Sequence, residues 1–545
     1  MTGAVCAREI PARPASVFEK RKKDMKRNSV WMLAVCASLV WCAAVCTGCA
    51  ENDDEDNMVI ENGVLVKWRD AKGDVTIPSG VTKIGEDAFS YCNDLTGVKI
   101  PDGVTEIGQY AFYGCLCLES IEIPASVTKV GANAFSYLNS MINISRVEYK
   151  GTAADWCHIT WGREYANPLS DSRAVLYISG KAVTSDELLE AATEIKSYAF
   201  YGCRDLKNAA ISKDVTAIGD YAFFKCTGLE DVEIPDSVTS IGKYAFSKCT
   251  GLKRIKIPAS VTEIGIDAFS SCTKLADAEI LGGAVGESAF ADCSSLATVT
   301  IGSGVTQFEK DVFRNCSVKD MYVLDIAAYC GITFVDKETS NPGGKFHNGK
   351  DDAEGIDTLE IPDSVTEIKD YAFYKNSGLS RIIMGKNIKR IGKYPFKVSH
   401  IKYTGSLSDW CGTTFDSGWS EWGNRAFVLE IDGVTSNELS IPGETKTIND
   451  YAFYGIKQIN GYDIKTITIG EGVESIGAEA FYSQSVNSVT IPKSVTRIGY
   501  SAFNASSLTF NGTKAEWNLI IKPSYGHWPS VTCTDGTISS SYTYP

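Results

Sequence analysis

Apolar residues recur along this chain in one repeated phrase. In CTGLEDVEIPDSVTSIGKYAF, Leu229, Val232 and Ile234 follow the spacing L-x-x-h-x-h, where h is apolar. Leu118-Ile121-Ile123, Leu252-Ile255-Ile257 and Leu296-Val299-Ile301 repeat it. Val232-Glu233-Ile234 alternates apolar and polar, the period of a strand with one buried face. Pro235 ends that strand, because it has no N–H to give to a ladder. Val238-Thr239-x-Ile241-Gly242 then spaces its apolar residues three apart, which predicts a bend or a very short strand. The closing KYAFSKC predicts a single helical turn that drops Ala245 and Phe246 inward.

The Phe of this phrase recurs at Phe89, Phe112, Phe135, Phe200, Phe223, Phe246, Phe269, Phe290, Phe313, Phe373, Phe396, Phe453, Phe481 and Phe503. The step is 23 residues in the clean blocks, 21 from Phe269 to Phe290 and 28 from Phe453 to Phe481. A unit that short cannot enclose a core of its own. It must bury its faces against the next unit. A fixed period in the twenties with L-x-x-L-x-L predicts a leucine-rich-repeat solenoid, a β-rich α/β fold. Each coil would carry one main parallel strand, a second short strand or bend, and a short helical turn.

The consensus I-P-x-S-V-T-x-I-G-x-x-A-F-x-x-C resembles the BspA-like (treponemal-type) leucine-rich repeats of bacterial surface proteins. The resemblance spans residues 58 to about 540. The opening VIENGVLVKWRDAKGDVTIPSGVTKIG is similar to the usual start of such arrays. Asn62-Gly63 predicts a hairpin turn, so residues 58–80 read as an N-terminal hairpin cap. The repeat array proper then runs over 81–507.

Cys92, Cys115, Cys203, Cys226, Cys249, Cys272, Cys293 and Cys316 each lie three residues after a repeat Phe. Stacking places them in one column. Small buried thiols that fill space are the first reading, since free Cys behaves as a small hydrophobe. Disulfides remain open as an alternative, as does metal or redox chemistry. Parallel side chains in a column point the same way, which opposes the disulfide torsion. The expected core ladder therefore consists of these thiols and the repeat phenylalanines.

A second motif fills the long gaps in the Phe series. It reads VEYKGTAADWCHITWG from Val147, IKYTGSLSDWCGTTF from Ile401 and LTFNGTKAEWNLIIK from Leu508. A worn copy from Met321 has Tyr329-Cys330 in place of Trp156-Cys157. These are alternate coils near 147–190, 321–356 and 401–445, with 508–545 as a C-terminal cap. Trp156, Trp410 and Trp517 read as core aromatics. Trp161, Trp419, Trp422 and Trp528 lie among Gly, Ser and charged residues. Local packing is the first reading, and ligand contact is the alternative that makes them candidate site residues.

The N-terminus reads as a sorting signal. KRKKDMKRNS precedes the apolar run VWMLAVCASLVWCAAV, and CTGCAENDDEDN follows. A basic region, an apolar region and small residues before a break form a secretory signal, assigned to residues 1–49. Met25 would be a more ordinary start, which makes 1–24 an upstream extension. Gly48-Cys49 resembles the bacterial lipoprotein cleavage site, with Cys49 as the lipidated residue. Cys46 stands where that site usually has an aliphatic residue. A plain secreted protein and a single-span anchor are the alternatives. Residues 50–57 form an acidic tether with nothing to bury. They resemble the export tag of surface lipoproteins in Bacteroides-type bacteria. The expected location is the outer membrane, lipid-anchored and facing outward.

The net charge of −14 argues against a nucleic-acid partner. The chain has four histidines, no two close in sequence, and no catalytic, Walker-type or zinc-type motif. No cofactor and no metal are expected, and the chain is not read as an enzyme. The outward residues of the main strands include Lys99, Glu122, Glu233, Lys256, Glu279 and Thr300. Glu233, Lys256 and Glu279 alternate in sign, which supports in-register pairing and marks a candidate ligand face. The resemblance implies adhesion to host or bacterial proteins. Polysaccharide capture in a nutrient-uptake system is the alternative, and a passive surface antigen the third. The ligand is a protein or a glycan, the membrane is met only through the lipid, and a monomer is expected.

Overall fold

In this computed structural model, the structure describes residues 57–543 except 138–139, 142–143, 171–172, 185–191, 421–426 and 524–525. The secretory segment with Cys49, and all but the last residue of the acidic tether, lie outside the described residues.

The L-x-x-h-x-h segment of each coil forms a main strand that pairs in parallel with its neighbours. Val98, Ile121, Val147 and Leu176 occupy one register position on four successive strands, all buried. The V-T-x-I-G segment forms a two-residue strand, such as Ser240–Ile241, paired in parallel with Glu263–Ile264. Thus the coils stack into a solenoid with one main sheet and one narrow sheet. Between them lies a continuous apolar core.

The third segment is tighter than an α-helical turn. In YAFSKC, Ser247 N–H donates to Tyr244 O at 3.2 Å and Cys249 N–H to Phe246 O at 3.2 Å. Tyr244 and Lys248 have φ of 56° and 62°. That left-handed backbone is unusual for bulky side chains. Its reason lies in the stacking direction. The N–H groups of Tyr244, Phe246 and Lys248 donate to Ile266 O, Ala268 O and Ser270 O of the next coil, at 2.9, 2.7 and 2.8 Å. A regular helix would turn those donors along its own axis. Here they bind coil to coil.

Two columns run through the blocks of the stack. The repeat phenylalanines, all buried except the half-buried Phe503, lie face to face within a block, as in Phe246–Phe269 at 5.2 Å and 2° and Phe89–Phe112 at 4.9 Å and 9°. Their spacing follows the separation of paired strands, ~4.8 Å. The second column is the glycine of the I-G step. A Cβ on Gly242 would sit 2.6 Å from the backbone of Gly219, and one on Gly265 2.5 Å from Lys243 N. Successive coils therefore meet backbone to backbone at this point.

Met58–Glu61 pairs antiparallel with Val64–Trp68 across Asn62 and Gly63, whose φ values are 49° and 78°. The hairpin stands in for a preceding coil. Trp68 N–H donates to Ala88 O at 2.8 Å, and its ring packs on Phe89 at 5.6 Å. At the other end, Val531–Cys533 pairs with Leu508–Thr509 in parallel and with Gly536–Ile538 antiparallel.

Gly242→Ala is expected to cost about 1–3 kcal/mol through overpacking against backbone. Gly412→Ala should be near neutral, since a Cβ there meets nothing within 4 Å. Paired thermal melts check this contrast.

Candidate binding surface

The alternate residues of the main strands point away from the core and form a long outer face. Lys99 and Glu122 are register partners joined at 3.2 Å, and Lys150 joins Glu122 at 3.1 Å. Further along, Lys256, Glu279, Thr300, Tyr322 and His347 form one row by register. Glu279 bonds to Lys350 at 2.8 Å rather than to Lys256. Cross-strand ion pairs beside this row are Arg254–Asp231 at 2.9 Å and Lys253–Glu230 at 2.6 Å. Glu233 and Lys256 are exposed, and with Arg254, Asp277 and Glu279 they line an open groove of about 630 Å³.

A strap crosses this face at its middle. After Gly344–Asn348, Lys350 reaches back to Glu279. Asp352 holds the strap's turn through Asn348 N–H at 3.0 Å and Gly355 N–H at 2.8 Å. His347 is buried beneath it, stacked on Tyr322 at 4.3 Å, with Nδ1 2.7 Å from Asp352 O and Nε2 3.0 Å from Asp320 Oδ1. Sequence reading found the row but not the strap, because nothing in the repeat period announces it.

The cysteine column is buried and unpaired: Cys92, Cys115, Cys203, Cys226, Cys249, Cys272 and Cys293 are buried, Cys316 half-buried, and all are free thiols. Every Sγ of the column but that of Cys203 is aimed at a backbone carbonyl of the coil or hairpin before. Cys115 donates to Phe89 O at 3.0 Å, Cys226 to Phe200 O at 3.0 Å, Cys249 to Phe223 O at 3.1 Å and Cys272 to Phe246 O at 3.2 Å. Cys293 and Cys316 continue the series onto Phe269 O and Phe290 O, and Cys92 bonds to Trp68 O. Burial pushes the thiols of Cys115, Cys203 and Cys316 up to about 12. Among the described residues no cluster of three or more His, Cys, Asp or Glu could hold a metal. Titration of native protein with a thiol reagent at pH 8 should label Cys117, the exposed thiol of the described residues, and leave the column untouched until denaturant is added. An unfolded thiol ionises near ~8.5. The raised folded values therefore mean that stability is retained below that pH and falls as pH rises above it.

Two of the tryptophans proposed for ligand contact are core residues. Trp161 is 5% exposed and packs on Trp156 at 4.9 Å. Trp419 is 0% exposed and donates Nε1–H to Tyr451 O at 2.9 Å. Their polar sequence neighbours misled, because the indole is needed inside. Trp422 lies outside the described residues. Trp528 is half-buried, edge-on to Trp517 at 6.2 Å.

These aromatics belong to joints. Pairing of the main strands breaks between Val175–Ile178 and Asn208–Ala210, between Gly344–Asn348 and Thr358–Glu360, and between Phe427–Ile431 and Glu438–Ile441; it also breaks between Asp231–Glu233 and Arg254–Ile257, where no joint motif stands. In an ordinary coil the Ala carbonyl before the Phe accepts from the preceding coil's Phe N–H, as Ala245 O does from Phe223 at 2.7 Å. At a joint that donor is missing. The side chains of Trp156, Tyr329 and Trp410 supply it instead, to Ala199 O at 2.8 Å, Ala372 O at 2.8 Å and Ala452 O at 2.9 Å. Asn167 and Asn341 add a second donor to Ala199 O and Ala372 O. The adjacent cysteine carbonyls, Cys157 O, Cys330 O and Cys411 O, accept from Lys196, Lys369 and Asn449 N–H of the next block. Each motif is presented by a short helix. Thr152/Asp155, Ser406/Asp409 and Thr513/Glu516 close capping boxes at three of them.

Trp410→Phe keeps the ring but strands Ala452 O, so a loss of about 1–3 kcal/mol is expected. Tyr329→Phe should cost less, because Asn341 still donates to Ala372 O. Urea unfolding of the two variants beside the parent checks the order.

Comparison with known proteins agrees with this architecture. The family model for the BspA type leucine rich repeat region matches six copies, over residues 71–151, 193–319, 351–427 and 423–514. Among solved structures, a leucine-rich repeat protein from Bacteroides ovatus is 24% identical, over 68% of this chain and 99% of that one, with a TM-score of 0.41. The T. pallidum leucine rich repeat protein is 31% identical over 28% of this chain and 71% of that one, with a TM-score of 0.24. A leucine rich cell surface protein from Faecalibacterium prausnitzii is 21% identical over 86% and 99%, with a TM-score of 0.25. No curated protein matches the chain. With its family match covering most of the array, and with the stacked coils that the repeat demands, the chain belongs to the BspA-type leucine-rich-repeat family.

Proposed function

We propose that this chain is a non-enzymatic cell-surface lipoprotein whose solenoid presents its main-strand face to a protein ligand, in adhesion to host or bacterial proteins. The observation that carries the reading is the groove over residues 231–279. There the charged side chains of Glu233 and Lys256 stand exposed on neighbouring strands that the Arg254–Asp231 ion pair ties together and whose apolar residues are turned inward. Mixed, closely spaced charges suit a protein surface of complementary pattern and do not suit a polyanion.

The anchor rests on the N-terminal sequence: a secretory segment, Cys49 for the lipid and an acidic tether to carry the solenoid clear of the membrane. Among the described residues no helix is long and apolar enough to cross a membrane. The glycan reading relied on four tryptophans, and the burial of Trp161 and Trp419 weakens it.

The chain should bind proteins on an array of matrix and bacterial surface proteins, and not a glycan array. Exchanging the two charges, Glu233→Lys with Lys256→Glu, should weaken that binding by on the order of tenfold without shifting the thermal midpoint, since exposed charges contribute little to stability. Binding confined to glycans, or binding indifferent to the exchange, would sink the proposal. An impermeant label applied to intact cells should reach the solenoid; if it does not, the adhesive role fails.

A further inference from the structure

The exposed apolar side chains are not spread evenly along the solenoid. Of thirteen large hydrophobics that are exposed among the described residues, five lie within residues 59–116 and five within 462–521. Only Ile266, Leu324 and Val335 lie between. At the N-terminal end they include Val59, Ile60 and Val66 of the capping hairpin, at 37–39% exposure. At the C-terminal end stand Leu519 and Ile521, at 80% and 69%, the two most exposed of all.

Leu519 and Ile521 occupy positions whose use is visible elsewhere in the chain. They lie two and four residues after Trp517, as His158 and Thr160 lie after Trp156 and Gly412 and Thr414 after Trp410. In the internal joints these positions face the following block. His158 Nε2 lies 3.2 Å from Thr193 Oγ1, Lys196 Nζ donates to Thr160 Oγ1 at 3.2 Å, and Asn449 Nδ2 donates to Gly412 O at 2.8 Å. His158 and Thr160 meet a polar first coil through their side chains, and Gly412 through its carbonyl. In the last copy the same positions are apolar. It therefore suits an apolar neighbour, and the first coil of a repeat block is not one.

The capping hairpin is such a neighbour. It also ends the narrow sheet at one end of the solenoid: among the described residues Met58–Glu61 pairs with Val64–Trp68 alone, which leaves its far edge open there. At the opposite end the narrow sheet finishes at Ile521, which bridges Arg497 and accepts from Ile498 N–H. Open sheet edges flanked by exposed apolar side chains recruit further strands.

We propose that copies of this chain associate head to tail, the Val59, Ile60 and Val66 face of one copy's hairpin seating on the Leu519 and Ile521 patch of another. Such a contact is heterologous, so it extends into open strings rather than closing a symmetric pair. It departs from the monomer expected of the repeat alone. It is also independent of the ligand face, since it uses the ends of the solenoid.

The test is cysteine cross-linking on cells carrying the full chain, with Cys117→Ser in every variant to remove the exposed thiol. Val59→Cys and Leu519→Cys are placed on separately tagged copies and treated with a short bis-maleimide. A two-copy product is expected from the mixed pair and not from either variant alone or from the background chain. Leu519→Asp with Ile521→Asp, changes at exposed sites that leave the core intact, should lower the co-capture of two separately tagged copies that carry no added cysteine by about tenfold or more. No product from the mixed pair, equal products from Leu519→Cys alone, or cross-links only to a different protein would overturn the proposal.

Discussion

The structure depends on one contact, the backbone-to-backbone seat between successive coils. A coil of 23 residues has no interior of its own. Its main strand, its narrow strand and its turn each leave donors and acceptors facing the next coil. The glycine of the I-G step is where this seat is closest, with no room for a Cβ at Gly242 or Gly265. The left-handed Tyr and Lys residues of the turn follow from the same requirement. Their strained backbone is held because it aims three N–H groups per coil across the interface.

Every interruption of the array must therefore replace the donors it removes. The joints do this with side chains. An indole or a phenol takes over from a Phe N–H, and Asn167, Asn341 or Trp419 adds a second donor nearby. Tyr329 can stand for Trp because what matters at that point is a donor on a large ring. The N-terminal hairpin solves the same problem with backbone, through Trp68 N–H and Trp68 O. The thiol column is a further instance: every S–H but that of Cys203 closes on a carbonyl of the coil or hairpin before, which explains why the slot favours a small weak donor over a plain apolar residue.

Much of this was legible in the sequence because it is periodic. The strand, the Phe stack, the thiol column and the hairpin at Asn62-Gly63 all follow from spacing alone. What escaped was aperiodic or inverted in polarity. Trp161 and Trp419 sit among Gly, Ser and charged residues, which leaves ligand contact open beside local packing, and both indoles are inside. Asn167 and Asn341 carry no pattern, and their role depends on which carbonyl loses its donor. Nothing in the repeat pattern singles out Gly151 and Gly405. Their reason is that the rings of Tyr149 and Tyr403 lie 2.7 Å from where a Cβ would be. The strap over His347 was missed because it belongs to the most worn copy of the joint motif.

The same economy of the interior locates function. Inward positions are committed to stacking, and the thiols, phenylalanines and indoles found there have no access to a ligand. The outward positions of the main strands, the strap and the two ends are among the surfaces left free of packing duties. On the main face, ion pairs such as Lys99–Glu122 and Arg254–Asp231 tie neighbouring strands together, while Glu233 and Lys256 stand in the groove beside them. The strap then divides the face, because Lys350 spends Glu279 on an internal bond and Asp352 covers His347. A partner approaching the solenoid meets two shorter surfaces rather than one long one, each with its own charge pattern. Specificity in such a scaffold comes from the register of those few outward residues, which the repeat holds in place without dictating their identity.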